Sequence, residues 1–256
     1  MELLRHDVAG VATLTLNRPD QRNALSVGLM AALEAAIAAI GDDRAVRVVV
    51  IAGAGPAFCA GHDLREIRAT PDRAAYAALF AQCGRLMQAI VQLPKPVIAQ
   101  VHGVATAAGC QLVASCDLAV AAASARFATP GVNIGLFCST PMVALSRNVA
   151  RKHAMDMLLT GDLIPAERAR EIGLVNRVVP DADLAGATAA LASQIARKSP
   201  LTLAIGKRAF YTQIEMSLAE AYAYTADVMT QNLLARDAEE GIDAFLQKRQ
   251  PHWMGT

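Results

Sequence analysis

The sequence has few of the residues that build disulfide frameworks or metal cages. Its five cysteines form an odd set without a CxxC pair, which argues against both kinds of structure. Nothing else in the chain suggests export, so we expect a reducing compartment, the cytoplasm. The cysteines are Cys59, Cys83, Cys110, Cys116 and Cys138.

An excess of charge of one sign and long apolar runs are also absent. The 24 basic and 23 acidic residues leave a formal net charge of +1, so no overall field draws the protein to a nucleic acid. The longest apolar stretch, 97–123, is interrupted by residues such as Gln100, Gln111 and Asp117 and is too polar to span a membrane. Residues 1–10 lack the apolar run of a signal peptide. We therefore expect neither a nucleic acid nor a membrane as partner.

Several common catalytic motifs are missing as well. Gly53 and Gly55 follow a strand-like run, but the third glycine of a dinucleotide-binding fingerprint would fall at Phe58. The chain has no GxxxxGK[ST] loop, no HExxH helix and no GxSxG turn. These absences argue against Rossmann enzymes, phosphate-loop ATPases, zinc proteases and α/β-hydrolases. No metal, flavin or nicotinamide is implied.

What the chain does have is a large apolar content in an alternating pattern. With 54% apolar residues in 256, it is long enough to bury a large core. Strand-like and helix-like segments alternate up to about residue 121 and predict the α/β class. The strand-like segments are 11–16, 46–51, 97–101 and 117–121, and the helix-like segments are 26–40, 73–93 and 106–115. Ser26 can cap the first of these helices. After Ser139 the pattern becomes mainly helical, with long amphipathic stretches near 182–198 and 217–249.

Two segments of small residues each follow a predicted buried strand, and we expect them to lie together at the ends of neighbouring strands. They are 58–64, with the sequence FCAGHDL, and 101–111, with the sequence VHGVATAAGCQ. Small side chains let backbone N–H groups approach a ligand closely. The second segment also opens a helix, whose first N–H groups suit a developing oxyanion. The alternative is that the glycines and alanines only mark tight packing.

An ordered set of short motifs runs through the chain. The motifs are Asn17-Arg-Pro19, Asn23-Ala-Leu25, the segment 58–64, the segment His102 to Asp117, Phe127-x-x-Pro130, the segment 161–175 and the tail Phe245…Lys248-Arg249-x-Pro251. In this order they resemble the signatures of the crotonase superfamily, the enoyl-CoA hydratase/isomerase family.

The resemblance implies a fold, an assembly and a ligand. The fold is a spiral of β-β-α units over 1–195, followed by a helical C-terminal region for trimerisation over 196–256. The assembly is a homotrimer or a hexamer made of two trimers. The ligand is an acyl-CoA thioester, in which coenzyme A is part of the substrate and no separate cofactor is needed.

The resemblance also implies a set of site residues. The thioester carbonyl would lie between the backbone N–H groups of His62 and Ala108. The residues implied in substrate and CoA binding are Arg22, Ala24, Leu25, Ala60, Gly61, His62, Asp63, Leu64 and Gly109. A guanidinium such as that of Arg22 offers paired donors to a phosphate, although a solvated loop arginine is the alternative.

The chain departs from the family at both positions where hydratases carry a glutamate. These positions hold Gln111 and Gly131. Glutamine can orient a water but cannot accept its proton, and glycine has no side chain to contribute. Because positioned acid–base catalysis contributes about 10²–10⁴-fold, we predict that simple enoyl-CoA thioesters are not hydrated efficiently.

Three nearby side chains are candidates to replace the glutamates. By spacing, Ser139 matches the nucleophilic Asp of aromatic acyl-CoA dehalogenases, and it could act as a nucleophile, hold a water or cap the following helix, the role we favour. Cys138 fits a buried hydrophobe better than a thiolate. The His62 imidazole could act as acid or base, but we expect it to bond to Asp63 or the local backbone.

These observations leave three functions open. The first is an enzyme of enolate-type chemistry, which could be a hydratase, an isomerase or a thioester hydrolase. The second is a non-catalytic acyl-CoA-binding protein, which the loss of both glutamates favours. The third is a scaffold subunit without affinity for CoA.

Overall fold

A six-stranded sheet forms the centre of the fold. The computed structural model describes residues 1–256. Only the edge strand β1 runs antiparallel to its neighbour, and the other pairs are parallel. The strands, in spatial order, are β1 (Leu3–Val8), β2 (Val11–Leu16), β3 (Val48–Gly53), β4 (Val97–Val101), β6 (Leu118–Ala122) and β9 (Arg177–Val179). Parallel strands are covered on both faces, which explains the unbroken apolar run of β3.

A second, smaller sheet consists of three short strands. They are β5 (Val104–Thr106), β7 (Arg126–Ala128) and β8 (Ile164–Pro165). Each of β4 and β6 in the large sheet is followed by one short strand, β5 or β7, and then by a helix. This repeated strand–strand–helix order is the β-β-α unit expected from the sequence.

Eleven α-helices surround the sheets. They are α1 (Val27–Asp42), α2 (Leu64–Ala69), α3 (Arg73–Gln92), α4 (Ala108–Ser115), α5 (Pro141–Asn148), α6 (Arg151–Thr160), α7 (Ala166–Glu171), α8 (Leu184–Ala196), α9 (Pro200–Gln213), α10 (Leu218–Leu233) and α11 (Arg236–Leu246). Ser26 caps α1 as predicted, because its hydroxyl accepts the N–H of Leu29 at 2.9 Å. None of these helices combines the length and apolar character that crossing a bilayer requires.

The α/β class is confirmed, and several of the predicted elements have different bounds; the strand expected over 46–51, for example, is β3 at Val48–Gly53. The helix expected over 106–115 begins at Ala108, because Thr106 pairs with Ala128 in the small sheet. The long helical pattern over 217–249 is divided into α10 and α11. The predicted boundary between the core (1–195) and the C-terminal region (196–256) falls in the last turn of α8.

A buried ion pair anchors the C-terminal helices to the large sheet. The ammonium of Lys207, on α9, donates to a carboxylate oxygen of Asp117 at 2.7 Å, and both side chains are mostly buried. Tyr211 donates its hydroxyl to the other oxygen of Asp117 at 2.9 Å. The Val97 amide, which opens β4, donates to Asp117 at 2.7 Å. One carboxylate therefore fixes both the start of a central strand and the helix that packs beside it.

Replacing Lys207 by methionine should destabilise the protein by about 3 kcal/mol, because the substitution leaves the Asp117 carboxylate buried without its cation. Urea unfolding followed by circular dichroism measures the change in the free energy of unfolding. The matched control is Lys152→Met, since Lys152 is exposed on α6. A loss below about 1 kcal/mol, the range of surface pairs, would contradict an anchoring role.

Candidate functional site

The two small-residue segments lie side by side at the carboxyl edge of the large sheet. Segment 58–63 runs between two other stretches of backbone and pairs with both. On one side Cys59 pairs with Ala105, and the Cys59 amide donates to the Val104 carbonyl at 3.1 Å. On the other side the Leu25 amide donates to the Gly61 carbonyl at 2.7 Å. The two segments therefore lie together, as expected from the sequence.

Two backbone N–H groups in this region donate to no acceptor in the protein. His62 forms a parallel bridge with Leu25. In this bridge Leu25 forms hydrogen bonds with the two residues that flank His62, Gly61 and Asp63, and not with the His62 amide. The Ala108 amide is the first of α4, and first-turn amides of a helix have no intrahelical acceptor. A Cβ built on Gly61 would lie 3.4 Å from the Ala108 nitrogen, so the segments that carry the two amides are in contact.

Glycines make this close approach possible. A Cβ at Gly109 would lie 2.1 Å from the Cys59 carbonyl oxygen, a distance that no side chain can tolerate. Gly61 has a φ of +99°, which disfavours any residue with a Cβ. Both glycines therefore allow segment 58–63 and the start of α4 to lie in direct backbone contact.

Both unpaired amides belong to residues that line a cavity of about 820 Å³. Its apolar wall comes from α2, α3 and the loop after Pro130, and includes Leu64, Ile67, Phe80, Ile134, Leu136 and Phe137. Its charged residues include Arg22 and Arg65, and several of them also border an adjacent polar cleft. The cavity thus combines unpaired amide donors with an apolar wall and a charged rim, in which two aspartates, Asp20 and Asp63, accompany the two arginines.

Comparison with known proteins decides the family. The family described as enoyl-CoA hydratase/isomerase matches residues 6–256. The chain belongs to this family. The crotonase fold expected from the sequence is therefore confirmed.

Relatives of this crotonase-family chain cover nearly its whole length. Enoyl-CoA hydratase domain-containing protein 3, mitochondrial, from Xenopus laevis is 48% identical over 244 residues, which are 95% of this chain and 83% of that protein. The human protein of the same name is 47% identical over 95% of this chain and 80% of its own. The crystal structure of an enoyl-CoA hydratase from Mycobacterium smegmatis superposes with a TM-score of 0.97 at 54% identity, over 99% of both chains.

The expected cytoplasmic location is wrong by this comparison. The Xenopus laevis and human relatives are both named as mitochondrial. The sequence argument rested on free cysteines, and these indicate a reducing environment without identifying the compartment.

Most of the predicted site residues of this family member line the cavity. Those that line it are Arg22, Ala24, Ala60, His62, Asp63, Leu64, Ala108, Gly131 and Ser139. Leu25, Gly61 and Gly109 lie beneath it as buried backbone neighbours. The apolar wall comes from 64–80 and 132–142, the segments expected from the sequence to form the acyl pocket.

Gln111 is predicted as a catalytic residue, but it is not among the cavity-lining residues. Its side chain is 5% exposed, and its amide oxygen lies 3.8 Å from the thiol sulfur of Cys83 on α3. The other predicted position, Gly131, lines the cavity but carries no side chain. Neither position places a proton acceptor beside the unpaired amides.

The loop 131–138 closes over the space that a side chain at Gly131 would need. A Cβ there would lie 2.7 Å from the Leu136 carbonyl oxygen and 2.9 Å from the Cys138 sulfur. The Gly131 amide donates to that sulfur at 3.3 Å, and the Leu136 amide donates to the Gly131 carbonyl at 2.9 Å. Burial raises the pKa of the Cys138 thiol, although the hydrogen bond from Gly131 opposes the shift. The thiol is therefore protonated at neutral pH, which agrees with the inert role expected for it.

Ser139 does not cap the following helix, and this expectation is wrong. Helix α5 begins at Pro141 and its N-cap residue is Thr140, because proline fits the first helical position. The Ser139 side chain is exposed, and its hydroxyl donates to the Phe137 carbonyl at 3.4 Å. It stays available at the wall of the cavity.

The His62 imidazole makes no hydrogen bond to Asp63 or to the local backbone, which corrects a second expectation. The Asp63 carboxylate instead accepts from Arg18 at 2.9 Å and caps α2 through the Arg65 amide at 3.0 Å. The Nε2 atom of His62 is buried without a partner, and the ring packs edge-on against Phe80 at 5.6 Å. Burial lowers the pKa of His62 to about 4, so the imidazole is neutral at physiological pH.

Introducing a glutamate at Gly131 should destabilise the protein by about 1–3 kcal/mol, because its Cβ overlaps the Leu136 carbonyl and the Cys138 sulfur. Urea unfolding measures the change in the free energy of unfolding. Gly186→Glu is the matched control, since Gly186 has open space around its Cα. Equal stabilities for the two variants would show that the loop opens freely.

Proposed function

We propose that this chain binds an acyl-CoA thioester and polarises its carbonyl group between the amides of His62 and Ala108. The two unpaired amides at one cavity are the observation that carries the proposal. Preorganised backbone donors stabilise an enolate-like oxyanion without a change in their own charge. The apolar wall suits an acyl chain, and the guanidinium groups of Arg22 and Arg65 suit the phosphates of CoA. CoA enters as part of the substrate, and no separate cofactor is proposed.

The reaction we propose is enolate-type chemistry without the two-glutamate mechanism of hydration. The support is the lack of a carboxylate at either glutamate position: Gln111 is buried and does not line the cavity, and Gly131 is enclosed by its own loop. An isomerase or a thioester hydrolase on the same site is compatible with this arrangement. The exposed hydroxyl of Ser139 is the available group for holding a water or attacking the thioester.

A non-catalytic acyl-CoA-binding protein is the second candidate. The observation that favours it is the neutrality of two titratable side chains that line the cavity, those of His62 and Cys138. His62 is uncharged because burial lowers its pKa to about 4, and Cys138 keeps its proton because burial raises its pKa. Such a site can hold a thioester and release it unchanged.

The test is calorimetric titration of the wild-type protein with crotonyl-CoA and free CoA, followed by the rate of crotonyl-CoA hydration. We expect binding of the thioester and a rate at least about 10²-fold below that of a hydratase that carries both glutamates. Loss of the ultraviolet absorbance of the enoyl thioester measures the rate. A rate equal to that of the hydratase would refute the proposed chemistry, and a lack of affinity for either ligand would favour the scaffold function.

We also propose that residues 196–256 mediate assembly into a homotrimer or a hexamer of two trimers. Helices α10 and α11 and their flanks leave large apolar side chains uncovered, including Leu218, Leu234 and Phe245, each more than 70% exposed. Exposed large apolar side chains on two adjacent helices are typical of a protein–protein contact surface. Sedimentation equilibrium distinguishes three or six copies of the 26.9 kDa chain from one.

Substituting proline for Ala108 removes one of the two proposed donors and should lower thioester affinity or turnover about 10²–10³-fold. Proline is tolerated at the first position of a helix. The preceding Ala107, with a φ of +50° and a ψ of −118°, lacks the extended backbone that proline favours, so circular dichroism must show that α4 persists. Affinity for free CoA, which has no carbonyl between the amides, should stay within about twofold.

The matched control is Arg151→Pro. Arg151 holds the same first position in α6. The preceding Ala150 has the extended backbone that proline favours, so this variant controls for a proline at a helix start, and the affinity for free CoA controls for the turn at Ala107. We expect this variant to keep the affinity of the wild type. Full activity of a folded Ala108→Pro protein would overturn the proposed oxyanion site.

A further inference from the structure

Ala107 has a backbone conformation that normally belongs to glycine. Its φ is +50° and its ψ is −118°, the angles of the first central residue of a type II′ turn. A residue with a Cβ is strained there. Hydrogen bonds on both sides hold it in place: its amide donates to the Ala128 carbonyl at 2.9 Å, and its carbonyl accepts the Gln111 amide at 3.0 Å. The turn is therefore fixed by its neighbours and not by the preference of alanine.

The methyl group of Ala107 lies between the segments that carry the two proposed donors. A Cβ built on Gly61 would lie 2.9 Å from the Ala107 Cβ and 3.4 Å from the Ala108 nitrogen. His62 follows Gly61 directly, and Ala108 follows Ala107. Ala107 itself is partly exposed and lines the cavity. The methyl group thus occupies space immediately beside the amides.

We propose that the Ala107 methyl group restricts the cavity to acyl thioesters that are unbranched at the α-carbon. This inference rests on the proposed binding of a thioester carbonyl between the amides of His62 and Ala108. The α-carbon is bonded to the carbonyl carbon, so a substituent on it lies close to whatever borders the donors. A methylene at that position fits beside the Ala107 methyl group, whereas a second carbon substituent competes with it for the same space.

Glycine at position 107 would remove both the strain and the steric restriction. The turn conformation is unstrained for glycine, so the folded state should gain stability. The space released beside the Ala108 amide should accept an α-methyl group. The two effects arise from one atom and should appear together in Ala107→Gly.

The experiment compares butyryl-CoA with isobutyryl-CoA, which have the same atoms and differ only in branching at the α-carbon. Isothermal titration calorimetry gives both dissociation constants for the wild type and for Ala107→Gly. We expect the wild type to prefer butyryl-CoA about tenfold or more, a discrimination typical of one carbon group in a closed pocket. Ala107→Gly should bring this ratio close to one by tightening isobutyryl-CoA, and should raise the melting temperature by about 2–4 °C.

The matched control is Ala9→Gly. Ala9 also has a positive φ, +48°, but lies in the exposed turn between β1 and β2. This variant should gain stability while keeping the preference of the wild type. It separates the relief of strain from the change in the cavity.

The outcomes separate this inference from the function on which it rests. If both thioesters bind and Ala107→Gly leaves their ratio unchanged, or if the wild type shows no preference, the steric role of Ala107 is overturned and thioester binding stands. If the wild type binds neither thioester, the proposed function fails and this inference fails with it.

Discussion

The backbone pairing of segment 58–63 is the constraint on which the site depends. This segment is held on one side by residues 102–106 and on the other by residues 22–25. Because the segment is paired on both sides, most of its amides have an acceptor. The orientation of an amide without an acceptor is fixed by the hydrogen bonds of the residues beside it. The His62 amide is one without an acceptor, and Gly109 allows the start of α4 to bring the Ala108 amide alongside. Preorganised donors of this kind require no reorganisation when a negative charge develops.

A site built from backbone amides is independent of the side chains that usually act beside it. Gln111 faces Cys83 and Gly131 is covered by Cys138, yet the amides keep their positions because the sheet and α4 hold them. The loop 131–138 is packed around the missing side chain, so the absence of the second glutamate is part of the local structure. Changing that one residue would therefore not recreate a hydratase site without remodelling the loop.

The sequence predicted the parts of the fold that have strong periodicity and the parts of the site that consist of small residues. Strand β3, the Ser26 cap and the meeting of the two glycine-containing segments follow from apolar runs, cap chemistry and the parallel arrangement of strands. The three strands of the small sheet have two or three residues each, too short for any period to be recognised.

The hydrogen bonds of individual side chains were less predictable, because several possible donors and acceptors compete for each polar group. Asp63 bonds to Arg18, forty-five positions away, and not to the adjacent His62. A buried guanidinium makes a stronger partner for a carboxylate than a neutral imidazole, but no local pattern reveals that it is near. Ser139 was expected to cap a helix that begins two residues later, at the proline that sets its first turn.

The ion pair of Asp117 and Lys207 lies at the amino ends of the central strands, where β4 and β6 begin, whereas the unpaired amides lie beyond their carboxyl ends. The length of a strand separates the groups that keep the protein folded from the groups that would meet a ligand. Substitutions at one edge and at the other should therefore combine additively in their effects on stability. Because of this separation, residues at the cavity can be substituted to change ligand specificity without disturbing the Asp117–Lys207 ion pair.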